Sequence, residues 1–120
     1  MIYLKLMLAM LLLCCPVQSI ADDSDDKTRK TTEQVHAESQ AMLGDIYYIS
    51  DDYNEAVEWY RKAAEQGDAD SQLDLGWMYL DGVGVTKDEK EAAKWFKMAA
   101  DQGLEAAAKA LEFIPETARN

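Results

Sequence analysis

The second half of this chain repeats the first with one short insertion, and that repeat limits the folds open to it more than anything else in its 120 residues. Ala37-x-Ser39-Gln40-x-x-Leu43-Gly44-x-x-Tyr47 lies over Ala69-x-Ser71-Gln72-x-x-Leu75-Gly76-x-x-Tyr79 at an offset of 32. Further on, Ala56, Trp59, Tyr60, Ala63, Gln66 and Gly67 lie over Ala92, Trp95, Phe96, Ala99, Gln102 and Gly103, and the offset has become 36. The four added residues fall between Tyr79 and Ala92, where the second copy reads Leu80-Asp81-Gly82-Val83-Gly84-Val85-Thr86-Lys87-Asp88. Length variation of this kind belongs in a loop between two helices. A unit of 32 to 36 residues buries its apolar face by stacking on the next unit, as in a solenoid.

Local signals make each copy a helix, a turn and a helix. Asp52 with Glu55, and Asp88 with Glu91, have the spacing of a capping box at the start of each second helix, and Gly67 and Gly103 stand where a helix ends in a left-handed residue. Leu43 and Tyr47, like Leu75 and Tyr79, are four apart and share a face, while Gly44 and Gly76 admit a neighbouring helix. Ala56, Tyr60 and Ala63, with Ala92, Phe96 and Ala99, form the matching stripes of small residues around one large ring. After Gly103 a third start, Leu104 to Phe113, keeps the alanines and Leu111 but has Glu112 and Pro115 where the motif wants glycine and tyrosine. The expected fold is all-α: an α/α solenoid of two hairpins, residues 35–67 and 68–103, with a capping helix at 104–114 and a tail at 115–120.

The first 34 residues differ from the rest. Leu6 to Val17 is an unbroken apolar run after Lys5, the only charge among the first 21 residues. It is shorter than the ~20 residues that span a bilayer as a helix, and Ser19-Ile20-Ala21 offers a small-x-small cleavage site. Residues 1–21 are therefore expected to be a signal peptide cut after Ala21, with an uncleaved anchor as the alternative, and the protein to be periplasmic or secreted. Residues 22–34 hold no large apolar side chain, which predicts a disordered tether. Cleavage would remove Cys14 and Cys15, the only cysteines, and leave 23 acidic against 11 basic residues, a net charge of −12. Packing alone must then hold the fold, and the charge disfavours nucleic acid and anionic lipid as partners.

The run Leu75-Gly76-x-x-Tyr79-x-x-Gly82-x-Gly84-Val85-x-x-Asp88-x-x-x-Ala92-x-x-Trp95-x-x-x-Ala99-Ala100-x-x-Gly103 closely resembles the SEL-1-like repeat, a relative of the tetratricopeptide repeat. The first copy resembles the same family from Leu43 to Gly67, with Ser50-Asp51-Asp52-Tyr53 in place of the Gly-x-Gly-Val loop. The resemblance covers Ala37 to about Phe113 and implies a protein-binding adaptor, in bacteria often exported. Immunity proteins that neutralise secreted toxins are a narrower possibility within that class, and a structural subunit that self-associates through its repeat ends is the reading from another class.

Tetratricopeptide geometry implies that first helices line a concave face. The groove positions are then Ala41, Asp45 and Tyr48 around Leu43, Leu73, Trp77 and Leu80 around Leu75, and Lys109 and Phe113 in the capping helix. Such a groove suits a partner segment with apolar anchors and basic residues. The alternative use of Trp77 and Phe113 is to complete a small core.

Little in the chain points to chemistry. Its single histidine, His36, sits at the start of a helix, where it reads as solvated, and acid–base catalysis needs paired groups. Asp22-Asp23-x-Asp25-Asp26 lacks the glycine and distal glutamate of a calcium loop. Gly82-Val83-Gly84-Val85 has no preceding strand and no Gly-Lys-Ser/Thr, so its glycines read as turn positions. No enzyme activity, cofactor or metal is expected.

Overall fold

Residues 1–24 lie outside the described part of the computed structural model, which gives the backbone from Asp25 and the side chains from Glu33. The expected signal peptide therefore falls outside the described residues. Helix α1 is Asp25–Ile49, α2 Tyr53–Glu65, α3 Ala69–Asp81, α4 Glu89–Asp101 and α5 Glu105–Ala110. A 3₁₀ turn, Leu111–Phe113, leads to a last short helix, α6, at Glu116–Arg119. No strand occurs among the described residues. Glu33 to Asn120 form one compact unit, in which α1–α2 and α3–α4 are the two hairpins.

Two expectations need correction. The tether assigned to residues 22–34 is helical from Asp25 onward. Lys27, Arg29, Lys30, Glu33 and Gln34 are good helix formers, and extending an existing helix avoids the cost of nucleating one. Asp52 makes no side-chain cap, whereas Asp88 accepts hydrogen bonds from the backbone N–H groups of Lys90 and Glu91 at 3.0 and 3.1 Å. The tight Ser50–Asp52 turn puts Asp51 at φ 62° and leaves Asp52 at φ −85°, ψ 65°, short of the extended geometry in which an N-cap side chain reaches its donors. At the end of the capping segment Ile114 is fully buried, and Ala118 of α6, in the tail, packs against the second core cluster.

Each glycine of the Leu-Gly pairs seats a ring of the second helix. A Cβ on Gly44 would lie 2.7 Å from the Tyr60 ring, and one on Gly76 would lie 2.5 Å from Phe96, so backbone and ring are in direct contact at both places. A pair of glutamines latches each hairpin beside this contact. The Gln66 amide donates to Gln40 Oε1 at 2.7 Å, and Gln102 donates to Gln72 Oε1 at 2.9 Å. Gln72 also donates to the Ala64 carbonyl at 3.0 Å, which ties the second hairpin to the first.

Two core clusters follow. Ala56, Val57, Tyr60, Ala64, Leu75 and Met78 fill the junction between the hairpins. Ala92, Ala93, Phe96, Ala110 and Ile114 fill the space under the cap. Leu43 departs from its framework role: it is 36% exposed while its counterpart Leu75 is fully buried, and among the described residues no hairpin packs on the outer side of α1.

The inserted loop of the second hairpin reaches back over the first. Val83 and Val85 pack on the first cluster beside Tyr53. Gly84 has φ +70°, and a Cβ there would collide with the Tyr53 carbonyl, so both its backbone angle and its close approach require glycine. The loop closes through the Asp88 N–H, which donates to the Tyr79 carbonyl at 2.9 Å.

Candidate functional site

Where α1 and α3 lie side by side they leave a cavity of about 410 Å³, lined by Asp45, Tyr48, Tyr60, Asp74, Trp77, Met78, Asp81 and Val83. On α3 the residues Asp70, Asp74, Trp77 and Asp81 are spaced four, three and four apart, which places them along one side of the helix. The loop supplies Val83, and Tyr60 of α2 lies between the two first helices.

The walls are held rigidly. Tyr60 donates its hydroxyl to Asp45 Oδ1 at 2.6 Å. Burial, then the bond to Asp45 and its charge, push the Tyr60 phenol above its ordinary range. Tyr48 meets Tyr53 edge to face with centroids 5.2 Å apart, and the Tyr53 hydroxyl donates to Asp51 at 2.7 Å. Trp77 meets Phe96 in the same manner at 5.2 Å and keeps 36% of its surface open. Phe113 stands 6.0 Å from Trp77 and is 73% exposed. Trp77 is thus part wall and part core, and Phe113 is not core.

The groove is acidic and partly dry. Asp74 remains open to solvent at its rim, yet the surrounding walls withhold enough water to push its carboxyl up to about 6, with the charges of Asp45, Asp70 and Asp68 adding to the effect. Carboxylates crowded in this way bind an incoming cation more strongly than an isolated one would, because the cation relieves both repulsion and poor solvation.

Three of the residues expected to bind a partner come together here: Asp45, Tyr48 and Trp77. Leu73 and Leu80 do not, being half-buried against the second cluster. A first helix in a stack has one flank toward the preceding hairpin and one toward the next, and these two leucines lie on the flank that the cap covers. Ala41 is half-buried, and Lys109 sits exposed on α5, paired with Glu105 at 3.0 Å. Asp74, Asp81, Met78 and Val83 were not anticipated. The acidic spacing on α3 was the signal for Asp74 and Asp81, whereas Val83 depends on where the loop folds. His36 is exposed, with its Nε2 3.1 Å from the Gln40 amide nitrogen.

The family model described as Sel1 repeat matches residues 37–68 and 69–104. A curated relative, the ERAD-associated E3 ubiquitin-protein ligase component HRD3 of Candida glabrata, is 34% identical over 56 residues, which are 47% of this chain and 7% of that protein. Among solved structures, c5321, a protective antigen present in uropathogenic Escherichia coli strains displaying an SLR fold, is 46% identical. That match covers 69% of this chain and 18% of that one, with a TM-score of 0.60. A Sel1 repeat protein from Oxalobacter formigenes is 34% identical over 76% of this chain and 39% of that one, with a TM-score of 0.59. The chain spans well under half the length of each of these proteins.

Proposed function

The chain belongs to the Sel1 repeat family, and we propose that it is an exported adaptor that holds a partner protein in the groove between α1 and α3. Sel1 repeats are protein–protein interaction modules built on a non-enzymatic scaffold fold, and the relative from Candida glabrata is named as a component of a ligase. The observation that carries the reading is the meeting of Asp45, Asp74 and Asp81 with Tyr48 and Trp77 in one cavity. Such a site takes a lysine or arginine side chain against the carboxylates and an aromatic face, with an apolar neighbour of that residue against Met78 and Val83.

The charge state of Asp74 sets the pH dependence. Its raised value near 6 means that it is neutral in acid and ionised above that pH, so a basic segment binds more tightly as pH rises through about 6. The bound cation lowers that midpoint. Replacing Tyr48 and Trp77 with alanine, after circular dichroism has shown the helices intact, is expected to abolish capture of partners from an envelope extract. Unchanged capture removes the groove from the reading.

Export rests on the apolar run Leu6 to Val17 and on Ser19-Ile20-Ala21. Amino-terminal sequencing of the protein from fractionated cells is expected to begin at Asp22, and a start at Met1 in the cytosolic fraction sinks this part.

A further inference from the structure

We infer that the outer side of α4 is a second docking surface, separate from the groove between α1 and α3, and that it holds a short acidic segment of a partner protein. Charge is divided unevenly along the chain. From Glu33 to Thr86 twelve acids stand against Arg61 and Lys62, whereas from Lys87 onward seven acids stand against six bases. Four of those six meet in one place. Lys90, Lys94 and Lys97 of α4 and Arg119 of α6 line a cleft of about 280 Å³, together with Ala93 and Ala118, and no acidic side chain is among its walls. The three lysines are four and three apart, so they share one side of α4, and all three are exposed. Asp101 continues that side one turn further on, outside the cleft. Among the described residues Lys94 pairs with Glu91 at 3.2 Å, and Lys90, Lys97 and Arg119 have no ion pair.

The fold does not ask for this arrangement. In the first hairpin the positions of Lys90, Lys94 and Lys97 hold Asn54, Glu58 and Arg61, and Arg61 is engaged, donating to the Tyr79 hydroxyl at 2.7 Å. Lysines one turn apart on a helix repel each other. Lys90 is also the second residue of α4, at the positive end of the helix dipole. Both effects weaken α4 slightly, so stability favours dispersing these charges. Solubility does not need them either, because a net charge of −11 already keeps copies apart. An anionic ligand relieves both repulsions.

The kind of ligand follows from charge and length. A long polyanion or an anionic membrane would run past the cleft onto the strongly acidic first hairpin and be repelled there. A short peptide segment keeps its carboxylates within the cleft. Lys90 and Lys97 are separated by seven residues of helix, about 10 Å along the axis. An extended segment covers that distance in about three residues. The matching motif therefore has acids at its first and fourth positions, with a further acid between them facing Lys94. Arg119 adds a planar fork suited to a carboxylate, and the small side chains of Ala93 and Ala118 let the segment's backbone come close. The groove and the cleft have opposite sign, so one chain can hold two different partners.

Fluorescence anisotropy of a short fluorescein-labelled peptide with Glu-Ser-Glu-Glu at its centre, titrated with the full chain, is expected to show saturable binding that weakens roughly tenfold as salt rises from about 50 to about 300 mM. Lys94→Glu with Lys97→Glu should weaken it at least tenfold at unchanged helicity, and Lys94→Ala with Lys97→Ala, in which alanine favours the helix, should weaken it about fivefold. Lys62→Glu with Lys109→Glu changes the net charge equally, away from the cleft, and should leave affinity within about twofold. Tyr48→Ala should leave it unchanged, which separates this surface from the groove. Binding no tighter than that of the peptide with glutamine for each glutamate overturns the inference. Equal losses in the two charge-reversed pairs overturn it too, since net charge and not the cleft would then be responsible. Tighter binding of a single-stranded oligonucleotide or of phosphatidylglycerol vesicles overturns the assignment to an acidic peptide.

Discussion

In the first hairpin Tyr60 reaches across to Asp45 and donates a hydrogen bond, whereas in the second the equivalent residues are Phe96 and Trp77, which meet edge to face. The backbone contact beneath is the same, a ring lying on a glycine, and only the outer partner of the ring differs. The difference follows from what lies beyond each hairpin. The first ends at solvent and at the groove, where a carboxylate can stay hydrated on one side. The second is covered by the cap, where a buried charge would be costly and an aromatic pair is not.

The largest test of this comparison is to empty the covered hairpin. Phe96 is fully buried between Gly76, Trp77 and the cap, so Phe96→Ala is expected to cost about 3–5 kcal/mol. For a chain of little more than two repeats that is enough to lose cooperative urea unfolding, and a preserved sharp transition would show that the cap does not depend on this ring.

Filling the glycines comes next. Gly76→Ala forces a methyl into the Phe96 ring and is expected to lower stability by about 1–3 kcal/mol despite alanine's better helix propensity. Gly44→Ala should cost less, because the outer side of α1 is exposed among the described residues and the helix can move away from Tyr60. Equal losses in the urea midpoint would contradict the idea that the first hairpin is free on its outer side.

Converting one chemistry to the other is milder. Tyr60→Phe gives the first hairpin the ring of the second and removes the bond to Asp45, for an expected loss of about 1 kcal/mol. If stability rises instead, the hydrogen bond is present for the shape of the groove and not for the fold.

The smallest expected effect separates the two glutamine latches. Gln102→Ala breaks a partly buried bond to Gln72, and Gln66→Ala breaks an exposed one to Gln40. The first is expected to cost about 1 kcal/mol and the second about half that. Hydrogen exchange at the ends of α2 and α4 reads the two separately.

Much of this was legible in the sequence because the signals are local. The offsets of 32 and 36 placed both hairpins and the inserted loop, and the helix ends followed from Asp88, Gly67 and Gly103, the last two at φ +97° and +94°. Asp52 has the right residue type for a cap, and only the Ser50–Asp52 turn to which it belongs makes its backbone wrong. Part of the cavity lining is legible for a similar reason. The repeat frame places Asp45, Tyr48 and Trp77, which line the cavity, whereas Leu73 and Leu80 lie on the flank of α3 that packs on the second cluster.

The sequence by itself determined the helices, their pairing and the glycine beneath each ring, since these depend on residues a few positions apart or on a repeat that states the same contact twice. Only the tertiary structure decided which flank of a helix is covered. Leu43 and Leu75 carry the same residue in the same frame, yet one is open and the other buried. The physical reason is that burial belongs to the neighbour as much as to the residue. Periodicity shows that a helix has an apolar side, and the number of hairpins stacked before and after it decides whether that side becomes core, groove or interface.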